Sequence, residues 1–308
     1  MFNSRHFLIA AAACAASATI VTAETIDRAS DPEWQLIWSE EFDGNAMDTA
    51  KWEYMHPGGS TWSRFIARGE AAQGEVNRFA DGSYQSYCLK TPPSMAEGNK
   101  EMISGAIRSL GKFHMRGGYI EARCKTLPHP GNFQAFWLLP ADHTGGWPVC
   151  GEIDVWEQID DEPIAYQTLH HAMRYPNHPN SKKFFTPVAV DSTYAGCATP
   201  GIDGARWHVY AVEWDAEHIT FFIDGEETGT ILNPHFAEGA WTEAVTWPFD
   251  KEFYVILNQS VGNGSWAKDP DMDFTYRTDF DYVRAYQKKA ALDYFTPATG
   301  RVTTAGKR

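Results

Sequence analysis

The stretch GEIDVWEQID, from Gly151 to Asp160, mixes strand-forming residues with five acidic or amide side chains. Side chains alternate between the two faces of a strand, so Glu152 and Asp154 share one face and the apolar residues between them share the other. Strict alternation would place Glu157 on the apolar face, where an unpaired carboxylate is costly. A β-bulge between Asp154 and Glu157 removes this conflict, because one extra residue returns Glu157 to the face of the other acids. The stretch therefore predicts a bulged strand that carries three carboxylates on one face.

Strand-like runs recur along the rest of the chain between turn signals, and helix-period patterns are nearly absent. The runs are Trp34–Phe42, Gly117–Thr126, Phe133–Pro140, Gly151–Ile159, Ala165–Met173, Trp207–Asp215, His218–Glu226, Phe253–Val261 and Phe280–Lys288. The pair Asp224–Gly225 predicts a hairpin turn. Such a density of strands without a regular repeat predicts an all-β fold, an antiparallel β-sandwich of two sheets. Long loops are expected at 176–199 and 234–248.

The composition limits the classes of partner. The 308 residues are 43% hydrophobic and 14% aromatic, which suits one large all-β domain or two small ones. The formal net charge is −14, and an acidic protein is a poor partner for nucleic acid or for highly sulfated polyanions. Neutral polymers remain open as partners, and we expect the protein to be a monomer.

The N-terminus reads as an export signal. Arg5 gives a positive start, residues 7–16 form an apolar run, and small residues ending at Ala23 offer a cleavage site. We therefore expect a secreted or periplasmic protein. Lipoprotein anchoring through Cys14 is the alternative, but the preceding apolar run is short and Ala11 stands where leucine is typical. No later segment approaches the roughly 20 apolar residues of a membrane span.

These signals predict a signal peptide at 1–23, a single domain at 24–289 and a flexible C-terminal tail at 290–308. The cysteines that remain after cleavage are Cys88, Cys124, Cys150 and Cys197. Export permits two disulfides between them, and buried free thiols are the alternative. Because the spacing contains no Cys-x-x-Cys pair, a structural zinc site is not expected.

Three carboxylates on one strand face, flanked by aromatic residues, suit a retaining glycosidase. Such an enzyme needs one ionised acid as nucleophile and one protonated acid to assist the leaving group, with the carboxyl groups about 5–5.5 Å apart. Neighbouring charges help, because they push the two pKa values apart. The alternative is a solvated acidic edge or a calcium site. Calcium loops usually carry glycine and asparagine among the acids, whereas this stretch carries Ile, Val and Trp.

Residues 147–157, WPVCGEIDVWE, resemble the Glu-x-Asp-x-x-Glu signature of glycoside hydrolase family 16. This is the bulged form found in laminarinases, agarases and carrageenases, not the shorter Glu-x-Asp-x-Glu of lichenases. The resemblance covers nearly the whole mature chain through the segments WSEEFDG, KWEY, GKFHMRGGYIEARCK, FQAFWLLP, QTLHH, WHVYAVEW, IDGE, WPFDKEFYVILN and FDYVRAYQ. It implies a concanavalin-like jelly roll with a concave substrate cleft, and a retaining endo-acting hydrolase.

The resemblance also implies roles for single residues. Glu152 corresponds to the nucleophile, Glu157 to the general acid/base and Asp154 to the residue that assists the nucleophile. Trp147, just before the motif, is similar to the family's sugar platform. His170 matches a family position that faces the cleft.

Weaker signals add candidate substrate contacts. These are Trp137, Asn258, Gln259, Trp266, Trp62 and Arg64. Trp137 suits the core and the cleft equally well, and we expect one of the adjacent amides Asn258 and Gln259 to face the cleft. If the strand alternates, His171 points away from it.

No cofactor is expected for catalysis. The resemblance implies one structural calcium ion on the outer face, near the first and last strands, with Asp281 as a ligand. Such an ion would stabilise the fold without taking part in the chemistry.

The implied substrate is a neutral polysaccharide or glycan with internal β-1,3 or β-1,4 links, of the laminarin or mixed-linkage β-glucan type. Laminarinases tend to read Gly-Thr-Leu-His where this chain has Gln167 to His170, and Leu-Ala where it has Gln259–Ser260. These departures favour an alternative, an endo-β-1,4-galactosidase acting on poly-N-acetyllactosamine mucin O-glycans or agar-type galactan. A catalytically silent glycan-binding module and a structural adhesion protein are the non-enzyme alternatives. The presence of both glutamates argues against them.

Overall fold

The computed structural model describes residues 27–292, except 96, 99, 185–195 and 234–246. The predicted signal peptide at 1–23 and most of the predicted tail at 290–308 therefore lie outside the described residues. Parts of the two predicted long loops also lie outside them.

Sixteen strands make up nearly half of the described chain. In chain order they are β1 (Trp34–Glu40), β2 (Glu53–Tyr54), β3 (Asn77–Ala80), β4 (Ser83–Lys90), β5 (Met102–Ser104), β6 (Ala106–Arg108), β7 (Gly118–Thr126), β8 (Asn132–Pro140), β9 (Glu152–Ile159), β10 (Ile164–His170), β11 (Gly196–Pro200), β12 (His208–Trp214), β13 (His218–Ile223), β14 (Glu226–Leu232), β15 (Phe253–Val261) and β16 (Tyr276–Lys288). The helices are short: α1 (Glu70–Val76), α2 (Pro179–Phe184), α3 (Lys289–Leu292) and a 3-10 turn at Pro248–Asp250. All nine predicted runs form strands.

The strands form two antiparallel sheets, which confirms the predicted sandwich. The first sheet has nine strands in the order β14-β13-β12-β7-β16-β4-β3, with β1 paired to β16 and β5 to β4. The second has seven strands in the order β11-β10-β9-β8-β15-β6-β2. The predicted hairpin joins β13 to β14, where Asp224 and Gly225 adopt φ of 52° and 81°. Left-handed φ at both central residues is what the favoured two-residue hairpin turn requires.

The core lies between the two sheets and is rich in aromatic residues. Trp52, Trp156, Phe136, Phe221 and Phe253 are all buried in one hydrophobic cluster. Each such side chain contributes roughly 1.5–3 kcal/mol of stabilisation by leaving water. Packing against this layer holds the seven-stranded sheet in place. The face of that sheet that points away from the core can then bind a ligand.

Strand β9 carries the predicted bulge. On the β8 side, Phe136 pairs with Trp156 while the next residue, Trp137, pairs with Asp154, so Val155 is the extra residue. Val155 and Trp156 are both buried in the core. The Trp156 ring stacks on Tyr210, with centroids 4.5 Å apart and an interplanar angle of 11°. Two consecutive residues therefore enter the core, and the carboxylates stay together on the other face.

The four cysteines are free thiols, three of them buried and Cys197 half-buried. Of the two alternatives, free thiols are therefore the one observed. Burial raises the pKa of Cys150 to about 11, which leaves its thiol protonated and a poor nucleophile. Within the described ranges, no helix has the length and apolar character that crossing a bilayer would require.

Candidate active site

An open cleft of about 690 Å³ lies on the face of the seven-stranded sheet that points away from the core. Its floor comes from β8, β9, β10 and β15, which are neighbours in that sheet. On β8, for example, Phe133, Ala135 and Trp137 line the cleft, while Phe136 points into the core. The alternation of side chains along these strands thus separates the cleft from the hydrophobic layer.

All three acids of β9 line this cleft. Glu157 and Asp154 are buried, and the side chain of Glu152 is 14% exposed. Across the sheet, Glu152 pairs with His170, and Asp154 pairs with Thr168. The register therefore places an imidazole directly beside two carboxylates.

His170 is held between an acid and a phenol. Its Nε2 lies 2.8 Å from Asp154 Oδ2 and 3.5 Å from Glu152 Oε1. On the other side of the ring, Nδ1 shares a 2.8 Å hydrogen bond with the Tyr175 hydroxyl. The buried Asp154 Oδ2 atom has no hydrogen-bond partner, so its 2.8 Å approach to the imidazole is a close contact without hydrogen-bond geometry.

Burial raises the pKa of both catalytic candidates well above 4.5, and the negative charge of Asp154 raises both further. The two acids differ in their other neighbours. A hydrogen bond from Trp147 lowers the pKa of Glu152, whereas the charge of Glu152 adds to the rise in the pKa of Glu157. The hydrogen bond from Trp147 is thus a local feature that favours the ionised form of Glu152. A nucleophile needs such support, whereas a general acid must keep its proton.

Arg174 is the one Lys or Arg side chain among the cleft-lining residues. Its positive charge lowers the pKa of Glu152 and of Glu157. The guanidinium donates a 3.1 Å hydrogen bond to the Leu169 carbonyl and lies 5.3 Å from the centre of the Tyr175 ring. The described lining thus carries three acidic side chains and one arginine.

Aromatic side chains form the walls. Trp147 is 38% exposed, and its ring lies 5.7 Å from His170 and 5.1 Å from Tyr175. On the other side of the acids, Trp62 meets Trp137 edge to face, with centroids 4.7 Å apart.

Trp137 is both buried and part of the cleft lining, and its Nε1 donates a 2.8 Å hydrogen bond to Asn258 Oδ1. Trp266 is 45% exposed and packs edge-on against Phe133 and Tyr166, each at 5.3 Å. The predicted tryptophans therefore all line the cleft, and their roles in binding remain predictions.

Two predicted contacts lie elsewhere. Gln259 is fully buried on the core side of β15, where it donates to Asn132 Oδ1 at 2.9 Å and accepts from Thr278 at 2.6 Å. Asn258 is therefore the amide that faces the cleft. Arg64 does not line the cleft either, because its guanidinium donates to main-chain carbonyls at the ends of two loops. Asn258 thus meets the expectation that one of the two adjacent amides faces the cleft, whereas the positions of Gln259 and Arg64 lend no support to a substrate contact by either side chain.

His171 is fully buried and meets Phe249 edge to face, which confirms that it points away from the cleft. The sequence reasoning missed Thr168, His143, Arg174 and Tyr175, which all line the cleft. Thr168 could have been found, since it lies two residues before His170 on the same strand face. The other three lie on loops and carried no sequence signal.

Only one group of three potential metal ligands occurs among the described residues: Glu152, Asp154 and His170, whose ligand atoms lie within 4.8 Å of one another. A cation bound there would occupy the candidate nucleophile. Asp281 belongs to no such group, and its carboxylate accepts a 2.7 Å hydrogen bond from Arg123. Since calcium also binds main-chain carbonyls and water, a calcium ion at Asp281 stays a prediction.

Comparisons with known proteins agree with this geometry. Residues 34–288 match the family model for the glycoside hydrolase family 16 domain of β-porphyranases A–D. A keratan-sulfate endo-1,4-β-galactosidase of Sphingobacterium multivorum is 29% identical over 88% of this chain. The chain spans 59% of the length of that relative.

Two solved structures are similar to this chain over most of its length. The laminarinase of Rhodothermus marinus is 27% identical, with a TM-score of 0.67 and coverage of 83% of this chain and 98% of its own. A structure from work on endo-acting O-glycanases, which members of the human gut microbiota express to initiate mucin breakdown, is 25% identical. Its TM-score is 0.65, with coverage of 82% and 98%.

Proposed function

The chain belongs to glycoside hydrolase family 16, and from that premise we propose that it is a retaining endo-β-glycosidase that cleaves internal bonds of an uncharged polysaccharide or glycan. The observation that carries the proposal is the bulge in β9. It brings Glu152, Asp154 and Glu157 into one aromatic-lined cleft while Val155 and Trp156 fill the core.

The proposed reaction proceeds in two displacements. Glu152 attacks the anomeric carbon while Glu157 donates its proton to the leaving oxygen. Water then attacks the glycosyl-enzyme and gives its proton to the same Glu157, so the product keeps the configuration of the substrate. His170 and Asp154 lie beside Glu152 and keep its carboxylate in place.

The charge of the cleft supports an uncharged substrate. Among the residues that the structure describes, its lining carries three acidic side chains and a single Lys or Arg, Arg174, and the chain as a whole has a net charge of −14. A sulfated chain would be repelled by both. For this reason we do not extend the keratan-sulfate specificity in the name of the Sphingobacterium relative to this protein.

The first candidate substrate is a β-glucan of the laminarin or mixed-linkage type. Two of the positions at which this chain differs from laminarinases, Gln167 and Gln259, do not argue against a glucan substrate. Gln167 and Gln259 are both fully buried on the core side of the sheet. Gln167 donates to the Val155 carbonyl, for instance, at 3.0 Å. Residues beneath the floor cannot contact a sugar, so these two substitutions leave glucan open.

The second candidate is a β-galactoside chain, either a mucin-type O-glycan or a galactan. It is favoured by the porphyranase family model, by the Sphingobacterium galactosidase and by the similarity to the O-glycanase structure. Trp147 and Trp266 offer the exposed indole faces against which either sugar can stack.

One experiment tests the activity and separates the two substrates. The purified protein is incubated with laminarin, barley β-glucan, agarose and mucin O-glycans, and the lengths of the products are followed with time. Early products of intermediate length indicate internal cleavage, and proton NMR of the first-formed anomer reports retention. Binding without cleavage of any of these glycans would favour the glycan-binding module, and inversion at the anomeric carbon would overturn the mechanism.

A further inference from the structure

Arg64 has an unusual set of partners. Its guanidinium donates to the main-chain carbonyls of Thr61, Val261 and Gly262, at 2.5, 3.1 and 2.5 Å. Arginine carries only donors, and these carbonyls are only acceptors. The planar guanidinium can reach several carbonyls at fixed angles, which an ammonium group cannot do. The side chain also lies against the Phe65 ring, 4.4 Å from its centre.

The three carbonyls belong to two separate segments, and that of Val261 is at the end of β15. Thr61 lies in the loop that carries Trp62, and Gly262 begins the loop that carries Trp266. A second bond joins the same loops, from Asn263 Nδ2 to the Thr61 hydroxyl at 3.2 Å. Ser260 also donates its hydroxyl to the Trp62 carbonyl.

Each loop presents one tryptophan to the cleft. Trp62 packs on Trp137 at one wall, and Trp266 packs against Phe133 and Tyr166 at another. The Trp266 loop is tightly folded at its start, since a Cβ on Gly262 would lie 2.3 Å from the Lys268 carbonyl. The loop that carries Trp266 therefore begins at a closely packed glycine, whose carbonyl accepts a hydrogen bond from Arg64.

We infer that Arg64 is a positioning residue that fixes the spacing of Trp62 and Trp266, and so sets how tightly the cleft binds a long substrate. It acts outside the reacting atoms, because it does not line the cleft. The kinetic part of this inference rests on the proposed function. The structural part, that one guanidinium orders both loops, is independent of the proposed function.

The kinetic test compares Arg64→Met and Arg64→Lys with the wild type. On the polymer that the wild type cleaves, the Arg64→Met variant is expected to raise KM roughly 5- to 100-fold, the effect of losing stacking on about one ring. Its kcat should stay within about twofold, since the acids of β9 are untouched. Arg64→Lys should fall between the two, and short oligosaccharides that do not reach both tryptophans should be much less affected.

Arg78→Met is the matched control. Arg78 pairs with Glu75 at 3.1 Å on the exposed surface, where an ion pair contributes little. Its removal should leave KM unchanged. In the variant that lacks both tryptophans, Trp62→Ala with Trp266→Ala, adding Arg64→Met should raise KM no further, because there is nothing left to position.

A measurement that needs no activity tests the structural part. Amide hydrogen exchange should speed up in peptides covering 58–66 and 261–268 of Arg64→Met, and stay unchanged in β1. Unchanged exchange in either loop would overturn the inference, as would a fall in kcat with KM constant. Faster exchange in a protein that cleaves no glycan would instead reject the proposed function and leave the role of Arg64 intact.

Discussion

The two faces of β9 use the same eight residues for opposite purposes. One face gives Ile153, Val155 and Trp156 to the core, where packing stabilises the fold. The other gathers three acids, and burial together with repulsion raises the pKa values of Glu152 and Glu157, which costs stability at neutral pH. One strand can therefore separate folding from chemistry, provided that a bulge corrects the register. The two faces should then respond differently to substitution.

The largest effect is expected on the cleft face. Replacing Glu152 by Gln removes the nucleophile but keeps its shape, so turnover should fall more than about a thousandfold while the circular dichroism spectrum stays unchanged. Initial rates on the best polymer measure this. Asp161→Asn, an exposed acid just beyond the strand, is the control and should keep full activity. An active Glu152→Gln variant would show that the carboxylates do not perform the chemistry.

On the core face the expected loss is one of stability. Trp156→Ala removes a fully buried ring that stacks on Tyr210, and the free energy of unfolding should fall by about 3–5 kcal/mol. Urea denaturation measures it. The same substitution at the exposed Trp266 should change stability by less than about 0.5 kcal/mol. Equal losses at both positions would mean that the bulge does not direct Trp156 into the core.

How much of this could be read from the sequence depends on whether the signal was local. The bulge was predictable, because the misplacement of Glu157 shows within one strand. The face of Gln259 was not, since all nine residues of β15 are buried and the strand shows no alternation of polarity. The role of Arg64 was hidden for another reason: its partners are main-chain carbonyls, which every residue has. Its position in a loop with Trp62 suggested a substrate contact instead.

A third prediction concerns how the stability of the fold depends on pH through Glu157 on the cleft face. The folded state raises the pKa of Glu157 above 4.5, so the folded protein binds this proton more tightly than the unfolded chain does. The stabilising effect of the protonated group is complete below about pH 4.5 and is lost as the pH rises through the higher folded pKa. Glu157→Gln cannot ionise and should therefore be more stable than the wild type, by a margin that grows as the pH rises above about 4.5.

Melting temperatures of both proteins across this range measure that margin. The exposed Glu75→Gln variant is the control and should show no such trend. A margin that shrinks with rising pH would place Glu157 in an environment that favours its charge, which would contradict its role as the general acid.

The smallest effect concerns support from outside the strand. The Tyr175 hydroxyl shares a 2.8 Å hydrogen bond with His170 Nδ1, and this bond fixes the ring whose Nε2 lies beside Asp154 and Glu152. Tyr175→Phe should lower kcat/KM about 2- to 10-fold, the value of one ordinary hydrogen bond. In a His170→Asn background the same substitution should have no further effect, because the ring that the phenol holds is gone. If Tyr175→Phe lowered kcat/KM equally in the His170→Asn background, Tyr175 would act on the substrate directly. The cleft face of β9 would then not rely on the loop that carries Tyr175 for its geometry.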